Sequence, residues 1–265
     1  MRVSARQGLV ALLILAALAG RNSMGHDTPD WGGKYVDTQF YPLDDLAELA
    51  VRLGSMVTYD RRGSVIWQYA FDDGVGDVGP TAVGAASLIR PWTTIWETPP
   101  ASCGLQAGIV AGNYASIERR VAIPQSKRVG FASSLRLSTY VDTVYHNIYH
   151  YDGTHVWTSY LLIDANARTL SVFTQEAGEV VLVDPLPDLH SGYYFSHIKL
   201  VVDLTDHSLI RAIFDDREFD LAGYTMDPTP DTSAPNLRVR VNNVAVNLSG
   251  SVVNVDNLII TANEP

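Results

Sequence analysis

The sequence predicts an antiparallel β-sandwich preceded by one short α-helix. Two observations predict the sandwich. From Ser64 onward, apolar residues recur at a period of two in short runs rich in Val, Ile, Leu and aromatics. Turn-forming residues separate the runs and no helical segment lies between them, which excludes an interleaved α/β fold. A third observation supplies the helix. Only "PLDDLAELAVRLGS" carries a convincing helical spacing, at Leu46, Leu49, Ala50 and Leu53.

Taken in order, residues 1–19 open with Arg2 and Arg6, run apolar from Leu9 to Ala19 and end on small residues before Gly20. That is the pattern of a secretory signal peptide, and the run is short for a membrane span. Met24 offers a second reading of the start, in which the leader is not part of the protein. Residues 20–63 hold a polar extended segment and then the helix. Pro42, Asp44 and Asp45 suit its first turn and Gly54 its stop. Residues 64–265 form the sandwich. Its expected strands include "SVIWQYAF", "RVGFASSLRLSTYV", "TLSVFT", "EVVLV", "HIKLVVDL", "LIRAIF", "NLRVRVNNVAVNL" and "SVVNVDNLIITA". The glycine- and proline-bearing stretch from Asp72 to Ser102 reads as a long loop with one short strand. No internal repeat appears.

Composition narrows the function classes. The chain has 265 residues, a net charge of -10 and 18% charged residues. Its basic residues form no cluster larger than a pair, which argues against nucleic acid as a partner. Cys103 is the one cysteine, so there is no intrachain disulfide and no thiolate zinc site; it reads as a small buried apolar residue.

The segment Thr143–Tyr160, "TVYHNIYHYDGTHVWTSY", is the densest in chemistry. Asp152-Gly153 signals a two-residue hairpin turn. On that register His150 faces His155, Ile148 faces Trp157 and His146 faces Ser159. One face then carries His146, Ile148, His150, His155 and Trp157. The other carries Tyr145, Asn147, Tyr149, Tyr151, Val156, Thr158 and Tyr160. His150 and His155 approach to about 5 Å, whereas His146 lies about 13 Å along the strand, so the three do not hold one ion. Two readings of the hairpin stay open. In one, one face is core and the other meets solvent. In the other, Trp157, His150 and His155, or Tyr149 and Tyr151, form an exposed aromatic platform for a sugar or a partner.

No catalytic constellation stands out. Asp215 and Asp216 fall where a hairpin must turn, Glu218 and Asp220 share the face of a short strand, and neither G-x-S-x-G nor H-E-x-x-H occurs.

The stretch Tyr193–Gly223, with Phe195, His197, Leu200, Asp203 and Asp215-Asp216-Arg217-Glu218, resembles the central hairpins of laminin-G-like and concanavalin A-like jelly-roll sandwiches. "YAFDDG" from Tyr69 and "VNVDNLIIT" from Val253 resemble the first and last strands of secreted carbohydrate-binding modules, so the likeness spans about Ser64 to Thr261. The whole is also similar to uncharacterised bacterial and phage-encoded proteins. Trp92 is the first tryptophan after the opening "DDG", later than in many such modules. The resemblance implies a non-catalytic secreted module that binds a carbohydrate or another cell-surface polymer. A structural subunit of a virion or extracellular assembly is the alternative, with a homo-oligomer among the partners and the virion surface as location. A glycoside hydrolase comes third. The resemblance also brings the chain ends together, which implies a structural calcium ion on Asp72, Asp73 and Asp256, because calcium takes six to eight oxygen ligands.

Overall fold

A computed structural model describes residues 60, 62–97, 101–137, 143–186, 194–246 and 251–265. The leader and the helix expected from the sequence lie outside the described residues. Within them the alternating runs become β1 (Ser64–Tyr69), β2 (Gly79–Val83), β3 (Leu88–Trp92), β4 (Ser102–Gln106), β5 (Tyr114–Val121), β6 (Arg128–Leu137), β7 (Thr143–Tyr151) and β8 (His155–Asp164). There follow β9 (Thr169–Thr174), β10 (Gly178–Val183), β11 (Ser196–Asp203), β12 (Leu209–Phe214), β13 (Arg217–Asp220), β14 (Asp227–Pro230), β15 (Asn236–Val244) and β16 (Val252–Ala262).

Two eight-stranded antiparallel sheets result. The first runs β13-β12-β11-β6-β16-β4-β3, with β1 also on β16. The second runs β10-β9-β8-β7-β15-β5-β2, with β14 on β8. The first strand pairs with the last from Ser64↔Ala262 to Tyr69↔Leu258, so the chain ends meet as a jelly roll requires.

The stretch from Asp72 to Ser102 holds β2 and β3 where one short strand was expected. Both are sheet-edge strands, so they need no alternating pattern, and β2 is exposed along its length. Pro80 and Pro91 are tolerated there because an edge strand can lack an N–H.

Alternation places one residue in two between the sheets. Val144, Ile148, Val239, Val241, Leu161 and Ile163 of the second sheet meet Phe131, Leu135, Ile198, Leu200, Val253 and Ile260 of the first. β16 keeps its apolar residues inward by a bulge. Val253 and Val255 face the core at odd positions, and Leu258 and Ile260 at even ones. Asn257, at φ 49°, absorbs the extra residue, and asparagine tolerates that conformation. Cys103 is buried, and burial pushes its thiol up to about 12.

A buried ion network fastens the chain end to the first sheet. Lys199 Nζ lies 2.7 Å from Asp60 Oδ2 and 2.7 Å from Glu264 Oε1, and Arg211 pairs with Glu264. Burial works against the Asp60 carboxylate, but hydrogen bonds from Arg62 and Lys199 bring it down to about 2. Glu218 and Asp220 are exposed on β13, and Glu218 pairs with Arg62 at 2.6 Å. No helix among the described residues is long and apolar enough to cross a membrane.

Candidate functional site

The outward face of the second sheet concentrates aromatic and guanidinium side chains. β7 sits in its middle, between β8 and β15. Residues opposite each other in an antiparallel ladder share a face. Tyr149 therefore shares its face with Thr158 of β8 and Arg238 of β15, and Asn147 with Tyr160 and Arg240. One strand further on, Arg120 stands opposite Arg238 and Glu118 opposite Arg240. The pattern "NLRVRVNN" produces this row, with Leu237, Val239 and Val241 inward and Arg238, Arg240 and Asn242 outward.

Two aromatic groups flank the row. Toward β9, the Tyr160 ring lies flat on Phe173 at 4.7 Å, and Tyr145 meets Tyr160 edge-on at 5.2 Å. Burial, with the charge of Glu179, pushes the Tyr160 hydroxyl up to about 12, so it remains a neutral donor. On the other side the Arg238 guanidinium sits 4.4 Å over Tyr149 and 5.0 Å over Tyr151. Arg240 lies 5.3 Å over Tyr114 and donates from Nη2 to Ser116 Oγ at 2.9 Å. Glu118 accepts from Arg120 at 3.1 Å and lies 3.8 Å from Arg238. Asn147 donates to the Arg240 carbonyl at 3.3 Å. Flat rings and fixed guanidinium groups at this density suit stacking against, and hydrogen bonding to, a hydroxyl-rich ligand.

The hairpin itself divides the expected platform. Its register differs from the expected one by two residues: His150 faces Trp157, Ile148 faces Ser159 and His146 faces Leu161. The turn is closed by Asp152, whose Oδ1 accepts the N–H groups of Thr154 and His155, both at 2.7 Å. A shift of two preserves the faces. Tyr149 and Tyr151 stand on the outward face just described. His150 and Trp157 share the inward side with Ile148, and Trp157 packs against the core. An exposed platform of Trp157, His150 and His155 does not form, because the inward side at this end is already filled. Trp157 stacks on His207 at 3.7 Å and donates to Asp152 Oδ2 at 2.8 Å. His207 Nε2 lies 3.1 Å from His150 Nδ1. Burial, and then the charge of His207, pushes His150 down to about 4, so this pair holds together as neutral rings. His155 is half-buried, with Nδ1 3.0 Å from Thr154 Oγ1.

The structure does not group the three expected calcium ligands. Asp256 is buried, and its two oxygens accept the N–H groups of Glu97 and Asn257 at 3.0 and 2.8 Å. Asp72 and Asp73 sit exposed at the turn after β1, where Asp73 accepts from the Tyr69 hydroxyl. Among the described residues no three His, Cys, Asp or Glu side chains are grouped to hold a metal.

A second polar cluster lies on the opposite sheet. Ser134 Oγ is 3.0 Å from His197 Nδ1, and His197 Nε2 is 2.9 Å from Glu97 Oε1. Burial raises the Glu97 carboxyl, but hydrogen bonds from His197 and Ser134 hold it below its usual range. The residue types are those of an acyl-transfer triad. Ser134 is only 1% exposed, however, and the adjoining cavity of about 30 Å³ has room for a water or two and not for a sugar.

No protein-family model matches the sequence, and no curated protein matches it. Solved structures do. Cellulose induced protein, Cip1, superposes with a TM-score of 0.50 at 15% identity, over 74% of this chain and 96% of that one. The chain has a jelly-roll β-sandwich fold. A Bacillus licheniformis β-glucanase is similar at a TM-score of 0.47 and 12% identity, over 77% of this chain and 100% of that one. Lectin I-B4 from Griffonia simplicifolia is similar at 0.44 and 9%, over 74% and 99%. At these identities the likeness is one of fold.

Proposed function

We propose that this jelly roll is a glycan-binding module and that the outward face of its second sheet is the binding surface. The observation that carries the reading is the row on β7, β8 and β15, where Tyr145, Tyr149, Tyr160, Arg238 and Arg240 stand half-buried on one face and Asn147 lies buried among them. Sugar rings present C–H faces to aromatics and hydroxyls to amides and guanidinium groups. Binding of this kind needs no reacting carboxylate pair. A polysaccharide ligand is met outside the cell, in keeping with the leader expected over residues 1–19.

The test is binding to a panel of soluble and insoluble polysaccharides, measured for the parent and for a Tyr149→Ala, Tyr160→Ala double variant. Each ring is expected to contribute about 1 kcal/mol or more, so the double variant loses at least roughly tenfold in affinity while its circular dichroism is unchanged. Full retention of binding by a folded double variant overturns the reading.

A further inference from the structure

We propose that the glycan bound on this face is acidic, a polysaccharide whose sugar carboxylates are taken by Arg240 and Arg238. The inference rests on the glycan reading and narrows it to a substrate class.

The chain carries 29 acidic residues against 19 Lys and Arg, a net charge of -10. The middle of the binding face reverses that balance. Arg120, Arg238 and Arg240 stand on adjacent strands β5 and β15, and the carboxylate among them is Glu118. Arg120 and Arg238 are direct cross-strand neighbours, an arrangement of like charges that by itself weakens a sheet. Glu118 offsets it by reaching both, at 3.1 Å and 3.8 Å. Nothing comparable serves Arg240. It stands opposite Glu118 in the ladder, yet its guanidinium bonds to the neutral Ser116 hydroxyl, and it forms no ion pair among the described residues. A fold with acidic residues in excess has left a guanidinium on its aromatic face without a carboxylate.

Geometry adds to this. Arg238 is held over Tyr149 and Tyr151, and Arg240 over Tyr114, by ring contacts, and Arg240 Nη2 also donates to the Ser116 hydroxyl. A guanidinium fixed in that way loses little freedom when it binds, and its fork matches a carboxylate through two parallel hydrogen bonds. The two arginines are two residues apart on one strand, about 6.8 Å, and tyrosines flank them on both sides. A sugar ring on a tyrosine therefore has a guanidinium within reach of a ring substituent.

The experiment compares polygalacturonate, alginate and hyaluronan with their carboxyl-reduced forms, by titration calorimetry of the full chain. At least one native polymer is expected to bind tenfold or more tightly than its reduced form, in the range of a charge-assisted hydrogen bond, and to weaken as salt rises. Arg240→Gln is expected to bring the native polymer to the level of the reduced one, and Arg240→Lys to keep part of the difference. The melting temperature of each variant shows that it is folded. Equal binding of native and reduced polymers, or an unchanged preference in folded Arg240→Gln, overturns the acidic assignment and leaves the glycan reading standing. Absence of binding to these polymers and to every neutral polysaccharide tested overturns both.

Discussion

At the scale of single residues, His146 shows how strongly the sandwich interior dictates chemistry. Its ring is fully buried between the sheets and stacked on Phe131 at 4.0 Å, and neither nitrogen has a hydrogen-bond partner. Burial pushes it down to about 3 from an ordinary value of 6.5. The folded chain therefore keeps it neutral where the unfolded chain protonates it. Between those values the unfolded state holds more protons, so this residue makes stability fall as pH drops from 6.5 toward 3. Replacing it with an apolar side chain of similar size removes a buried unsatisfied group. His146→Leu is expected to raise stability by about 1–3 kcal/mol at neutral pH and to flatten the acid side of the stability curve, read by urea unfolding from pH 7 to pH 4. A loss of stability at every pH contradicts this account of His146. The sequence places His146 on the same face as Ile148 by alternation, but its lack of a partner depends on what the opposite sheet presents.

At the scale of elements, the β7–β8 hairpin shows which parts of a site alternation can reveal. The two faces follow from a period of two and hold in the structure, because the register moved by an even number of residues. The register itself does not follow from "DG". The Asp152 side chain caps the N–H groups of Thr154 and His155 and so closes a longer loop than the two-residue turn. Nor does the partner strand. β15 lies beside β7 although it is some ninety residues away in the chain, so the arginines over Tyr149 and Tyr151 are invisible from the hairpin alone. His207, whose φ is 60° in the turn between β11 and β12, completes the stack over Trp157 from the other sheet for the same reason. Trp157 is accordingly part of the fold. Trp157→Ala is expected to cost about 3 kcal/mol in urea unfolding and to leave glycan affinity within twofold. A cost under about 1 kcal/mol would return Trp157 to the candidate binding surface.

At the scale of the whole molecule, the two outer faces of the sandwich differ in how far they bury their polar residues. The outward side of the first sheet buries polar residues: Ser134, Lys199, Arg211, Asp256 and Asn257 are each at most 5% exposed. Its ion network fastens Asp60 and the C-terminal Glu264 to β11 and β12. The outward side of the second sheet keeps Tyr145, Tyr149, Tyr160, Arg238 and Arg240 only half-buried, with Glu118 reaching Arg120 and Arg238 among the described residues. The jelly-roll class was legible from strand spacing and from the first-to-last pairing that the resemblance implies. The difference in burial between the faces was not, because it depends on which segments cover which sheet. The central claim is that a glycan lies across β8, β7 and β15. It is tested most directly by ring-carbon NMR of the protein labelled on its 13 tyrosines, titrated with an oligosaccharide from the best polymer of the binding panel. The account predicts shifts for Tyr145, Tyr149 and Tyr160, with Tyr69 and Tyr224 unmoved. Shifts confined to Tyr69 or Tyr224, with the β7 and β8 tyrosines unchanged at saturation, would contradict it.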